Sequence, residues 1–141
     1  MLPVINQSKW PVWCAKKALP MQEASFALET CYYGAGWRTR PGTLLLTDKE
    51  LIHHSYSWRD THYAMFEPSL RVTIPMIDVA HVAPLRLKFG WRLLHGNPQS
   101  CFRMFMQDGT HHDLLLQRSG EEFRSSLSSR GIPIEPEIYA V

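Results

Sequence analysis

Hydrophobic side chains recur at every second position along most of this chain, then shift to a helical spacing from Ser119 onward. Period two marks a half-buried strand, and spacings of three and four mark a helix face. Phe26, Leu28 and Thr30 alternate with Ala27, Glu29 and Cys31, which predicts a strand over 26–33. Thr43–Thr47 and Leu51–Tyr56 read as two arms of a hairpin around Asp48-Lys49-Glu50. Leu70, Val72 and Ile74 alternate with Arg71 and Thr73 in the same way, and Pro75 and Pro84 bracket a segment holding Val79 and Val82. The most regular run follows: Leu85, Leu87, Phe89, Trp91 and Leu93 fall on one strand face, and Arg86, Lys88, Gly90, Arg92 and Leu94 on the other. Phe102, Met104 and Met106 form one arm of a last hairpin, Asp108-Gly109 its turn, and Leu114 and Leu116 the returning arm.

The change of period predicts a helix over about 119–130. Ser119 and Glu122 have the spacing of a capping box, Phe123 and Leu127 share one face, and Gly131 stands where a helix C-cap is expected. Residues 1–24 show no clean periodicity and are expected to be an irregular arm, anchored by Trp10 and Trp13. The tail after Gly131 is expected to be a loose terminus. These elements predict a mainly β (α+β) fold: an arm at 1–25, one domain at 26–131 and a tail at 132–141. Seven short strands must curl and close to hide their edges, and the helix then plugs an open end with Phe123 and Leu127.

Composition narrows the function classes. At 141 residues with 45% apolar side chains, the chain has enough core for one domain without a metal or disulfide staple. Cys14, Cys31 and Cys101 are odd in number and widely spaced, so no CxxC zinc or dithiol motif exists and a reducing, cytoplasmic setting is expected. The N-terminus lacks the apolar core of a signal peptide, and runs such as Leu44-Leu45-Leu46 are too short to span a bilayer, so association with membrane is expected to be peripheral at most. The net charge of +2 is unevenly spread: residues 1–40 carry +3, 41–70 carry −2, 71–103 carry +4 and 104–141 carry −3. That polarity suits a modest attraction for anions on part of the surface and is too mild for a dedicated nucleic-acid binder.

Three segments together resemble a known family. Gly42-Thr43-Leu44-Leu45-Leu46-Thr47-Asp48-Lys49-Glu50-Leu51-Ile52 resembles the G-x-L-x-L-T-x-x-x-L hairpin of pleckstrin-homology-like domains, in particular the GRAM-like and bacterial PH-like kinds. Ile74 to Val82 resembles their I-P segment, and Phe102 to Leu127 resembles their last hairpin followed by the closing helix. His53 and His54 stand where that family has an aliphatic or aromatic strand end. The resemblance implies a seven-stranded antiparallel barrel capped by one C-terminal helix. It implies a module that binds lipid headgroups, peptides or another protein, with no catalytic residues and no cofactor. It also implies that the first inter-strand loop is a phosphoinositide site.

Two groups of residues follow as candidates for an anionic ligand. Trp37, Arg38 and Arg40 lie in that first loop, where arginine forks suit phosphate and tryptophan suits a membrane interface. Arg86, Lys88 and Arg92 share one face of the expected strand, against the plain alternative that any sheet exterior is polar. The seven histidines include the neighbours His53-His54 and His111-His112, which on strands point to opposite faces and do not chelate one ion. Cys31 and Cys101, the imaginable nucleophiles, fall inside strand patterns, where buried thiols are common and inert. Phe105, Leu94, Tyr139 and the two N-terminal tryptophans are candidate exposed apolar residues, which favours a protein partner or self-association. The expectation is therefore a non-catalytic adaptor for a partner protein or an anionic membrane lipid. A small metal- or cysteine-dependent enzyme is the alternative from another class.

Overall fold

A computed structural model describes residues 5–6, 8–35, 39–57, 59–60, 70–136 and 139–140. Its centre is a strongly bent sheet in the order β4-β3-β2-β1-β7-β6-β5-β8, built from β1 (Phe26–Tyr33), β2 (Arg40–Leu46), β3 (Glu50–Ser55), β4 (Arg71–Pro75), β5 (Val79–Arg86), β6 (Ser100–Met106), β7 (His111–Leu116) and β8 (Tyr139–Ala140). The first seven strands are antiparallel, and the two-residue β8 pairs parallel to the end of β5. An irregularity between Leu28 and Cys31 bends β1, whose last three residues pair with both β2 and β7. That bend folds the sheet over its own apolar face, giving a mostly β, sandwich- or barrel-like architecture.

The period-two residues meet inside the fold. Leu44, Leu46, Leu51 and Ile74 come from one half of the sheet, and Val82, Phe102, Met104, Leu114 and Leu116 from the other. The C-terminal helix, called α3 (Gly120–Ser128), inserts Phe123 and Leu127 into this core. The Phe123 ring sits 5.3 Å from Phe26 and 5.4 Å from Phe102. Arg130 fastens the helix by donating to the carbonyls of Ser126 (2.7 Å) and Thr47 (3.2 Å). The expected capping box does not form: Ser119 takes a left-handed conformation (φ 63°) in the tight turn after β7, and its side chain makes no cap bond. The C-cap is Ser129, and Gly131 carries the positive φ two residues later.

The β6–β7 connection turns at Asp108-Gly109 as expected. Gly109 adopts φ 88°, and Asp108 Oδ1 accepts the Thr110 amide at 2.9 Å. The β2–β3 pair is tight at its open end: a Cβ on Gly42 would lie 2.4 Å from the His54 carbonyl oxygen, so only glycine fits there.

Three further readings from the sequence are corrected. The N-terminal arm contains a helix, α1 (Trp10–Lys16), with Pro11 in its first turn, where a missing amide costs nothing. It covers the outer face of β2 and β3, burying Trp13 and Cys14 against Leu45, Ile52 and Tyr56. The Trp10 indole donates to Thr43 Oγ1 (2.8 Å), Thr43 Oγ1 lies 2.8 Å from the Tyr56 hydroxyl, and that hydroxyl donates to the Glu29 carbonyl (2.6 Å). The tail is not loose: Ile132 is buried, the Val82 amide donates to the Pro133 carbonyl, and the Glu135 amide donates to the Val82 carbonyl. Finally, the long strand expected over 85–93 stops at Arg86, and Phe89–Leu94 is a second short helix, α2.

Candidate functional site

Helix α2 forms where β5 runs out of partners. The β5–β6 register ends at Pro84 opposite Phe102, and β6 begins at Ser100. Beyond Arg86 no strand among the described residues pairs with the chain on that side, and the chain satisfies its backbone groups locally. Lys88 stays extended (φ −61°, ψ 153°), then its carbonyl accepts the Arg92 amide and the Trp91 carbonyl accepts the His95 amide, each at 3.0 Å. Leu87, Trp91 and His95, four apart, turn toward the protein. Leu87 packs with Leu85 and Leu115, and Trp91 lies against this cluster. The His95 ring is buried, near-parallel to Trp91 at 6.1 Å and 5.2 Å from Tyr32. Gln117 donates to the His95 carbonyl at 2.7 Å, and Thr39 Oγ1 reaches the His95 ring at 3.2 Å.

The opposite side of α2 is bare. Phe89, Leu93 and Leu94 are 67%, 54% and 55% exposed. Alternation assigned Phe89 and Leu93 to the buried face; the helical turn reverses them, while Leu94 is exposed as expected. Arg86, Lys88 and Arg92 are also exposed, but they sit on three elements (the end of β5, the residue before α2 and the body of α2) and not on one strand face. The Arg92 guanidinium lies 6.0 Å from the centre of the Phe89 ring. Among the described residues none of the three cations forms an ion pair, and no Asp or Glu occurs between Asp78 and Asp108. The signal for this arrangement was the four-residue spacing of Leu87, Trp91 and His95, which the stronger alternation concealed.

The other candidate group divides. Trp37 and Arg38 lie outside the described residues. Arg40 opens β2, half-buried and opposite Tyr33. Tyr33 belongs to the inner side, with His53 at 5.6 Å and its hydroxyl 2.5 Å from His112 Nδ1, whereas Tyr32 faces α2. Register therefore separates Arg40 from Arg86, Lys88 and Arg92. Of the remaining apolar candidates, Trp13 is buried, Phe105 is half-buried and stacked on His81 at 4.6 Å, and the Tyr139 side chain lies outside the described residues.

The histidine pairs split across the sheet as strand geometry requires. His53 points inward and its Nε2 donates to the Cys31 carbonyl (2.8 Å); His54 points outward, edge-on to Trp13, and its Nδ1 accepts from Arg71 Nε (3.1 Å). Burial pushes both imidazoles down to about 4. Among the described residues no three His, Cys, Asp or Glu side chains gather as metal ligands. Burial pushes the Cys14 thiol up to about 11, Cys101 up to about 12 and Cys31 further still, so none is a ready thiolate at neutral pH. None of the described helices is long and apolar enough to cross a membrane.

No family model and no curated protein matches this chain. Solved structures do. The C-terminal domain of an unknown protein from Leishmania infantum aligns over 86% of this chain and 95% of its own, at 12% identity and a TM-score of 0.59. The hSac2 domain from human phosphoinositide phosphatase Sac2 aligns over 94% of this chain and 90% of its own, at 11% identity and a TM-score of 0.54. At such identities the likeness carries the fold alone: this chain shares the mostly β architecture of both domains.

Proposed function

We propose that this chain is a pleckstrin-homology-like binding module that docks reversibly on an anionic membrane surface through α2. The observation that carries the reading is the pairing, on one six-residue helix and its approach, of three exposed apolar side chains with three exposed cations that form no ion pair among the described residues. A solvent-facing helix gains nothing in water from Phe89, Leu93 and Leu94, and a bilayer interface accepts such side chains while its anionic headgroups receive the cations. Burying the exposed halves of the three apolar groups is worth roughly 3 kcal/mol. Three cations near an anionic leaflet add about 1 kcal/mol each. The sum gives a weak attachment that salt reverses.

The barrel part of the proposal is supported by seven antiparallel strands followed by one closing helix, as the resemblance implies. The non-catalytic part is supported by thiols held protonated by burial. The phosphatase activity in the name of the Sac2 protein is that protein's; at 11% identity it lends this chain no activity.

Co-sedimentation with vesicles tests the proposal. Wild-type chain is expected to pellet with phosphatidylserine-rich vesicles at low salt, to leave them at high salt and to ignore phosphatidylcholine vesicles. Arg86→Gln/Lys88→Gln/Arg92→Gln is expected to lose most of the binding. Wild-type chain that stays in the supernatant, or a triple variant that binds unchanged, overturns it.

A further inference from the structure

A second cationic surface lies on the other outer face. The solvent side of α1 and the turn after β3 enclose an open cleft of about 410 Å³, floored by Val12 and Trp13 and rimmed by Lys9, Lys16, Lys17 and Arg59. Among the described lining residues one carboxylate is present, Asp60, and its Oδ2 is already held by the Ser57 amide (2.8 Å) and hydroxyl (3.1 Å). None of the four cations forms an ion pair among the described residues. Arg71, whose guanidinium donates to the Lys17 carbonyl, adds a fifth charge close by. His54 lies within reach of these charges: its proton affinity is reduced first by burial and then by Arg71 and Lys17, with Asp60 acting the other way. Four like charges on one rim repel each other, and a multiply charged anion is the partner that relieves this.

We infer that this cleft is a binding site for a phosphate-bearing anion, separate from the α2 surface. The separation follows from the sheet. Helix α1 covers the outer face of β2 and β3, α2 covers the outer face of β5 to β7, and the core lies between. The two helices therefore lie over different halves of the bent sheet. The anion is either a free phosphorylated molecule or a headgroup presented by a second membrane.

Inorganic tripolyphosphate is the probe, measured by titration calorimetry on the full chain. Wild-type chain and Arg86→Gln/Lys88→Gln/Arg92→Gln are expected to bind it equally. Lys9→Gln/Lys16→Gln/Lys17→Gln is expected to bind about tenfold more weakly or worse, as lost charge-assisted contacts require. The matching Lys→Arg variant keeps the charge and is expected to retain binding, which separates loss of charge from loss of fold. No binding by the wild type, or loss in the α2 variant and not in the α1 variant, overturns the site. Light scattering from phosphatidylserine-rich vesicles then identifies the source: clustering that needs the three lysines assigns a membrane headgroup, and calorimetric binding without clustering assigns a free anion. The clustering arm rests on α2 docking; the calorimetric arm does not, so the two ideas fail separately.

Discussion

Helices α1 and α2 are nearly the same length, each lies on the outside of the sheet, and they treat their apolar side chains in opposite ways. Helix α1 turns Trp13 and Cys14 inward over Leu45, Ile52 and Tyr56 and shows water the smaller side chains of Pro11, Val12 and Ala15 with Lys16. Helix α2 spends Trp91 on the sheet and leaves Phe89, Leu93 and Leu94 outside. Stability explains the first helix, because a buried indole and a hydrogen-bonded link to Tyr56 repay its ordering. It does not explain the second. Exposed apolar groups beside cations that form no ion pair among the described residues are what the proposed membrane docking accounts for.

Four substitutions or conditions break or sharpen this contrast. Trp13→Ala removes the main contact of α1 and is expected to cost about 3–5 kcal/mol, read by urea denaturation. Acidification acts on the same side. His54 under α1 and His53 in the core have native affinities near 4, against about 6.5 for an unfolded imidazole, so the unfolded chain binds protons first. Their contribution to stability is complete above pH 6.5, is lost progressively as the pH falls toward 4 and changes no further below that. His54→Gln is expected to flatten this part of the urea-midpoint profile, and an unchanged slope contradicts the assignment. Tyr56→Phe leaves the Thr43 hydroxyl and the Glu29 carbonyl without their shared partner, at about 1–2 kcal/mol in the same assay. Phe89→Ser/Leu93→Ser is expected to shift stability by no more than about 0.5 kcal/mol while abolishing vesicle binding. A large loss of stability in that double variant makes α2 structural and removes the contrast.

The hairpins and α3 were legible because long-lived periodicities and turn residues name them directly. Asp108-Gly109 and the change of beat at Ser119 needed nothing from elsewhere in the chain. Both outer helices were hidden for a shared reason: each is short and borrows its stability from the sheet it covers. In α1, the spacing from Trp10 to Trp13 and Cys14 is too brief to outweigh Pro11 and the surrounding lysines. In α2, Leu85, Leu87, Phe89, Trp91 and Leu93 alternate cleanly, and only the early end of β6 converts that alternation into a helix. The tail was misjudged because Pro133 and Glu135 carry no strand signal; the unpaired edge of β5 orders them through their backbone groups. The basic residues of 86–92 were found from sequence, but the apolar half of that surface was assigned to the core.

Insertion of α2 is tested most directly by a reporter on its exposed side. Phe89→Trp places an indole there, and vesicles made with brominated anionic lipid quench fluorescence only from indoles that enter the acyl region. The account predicts extra quenching over the wild-type background, lost at high salt. A variant that sediments with the vesicles while its added indole stays unquenched would contradict it.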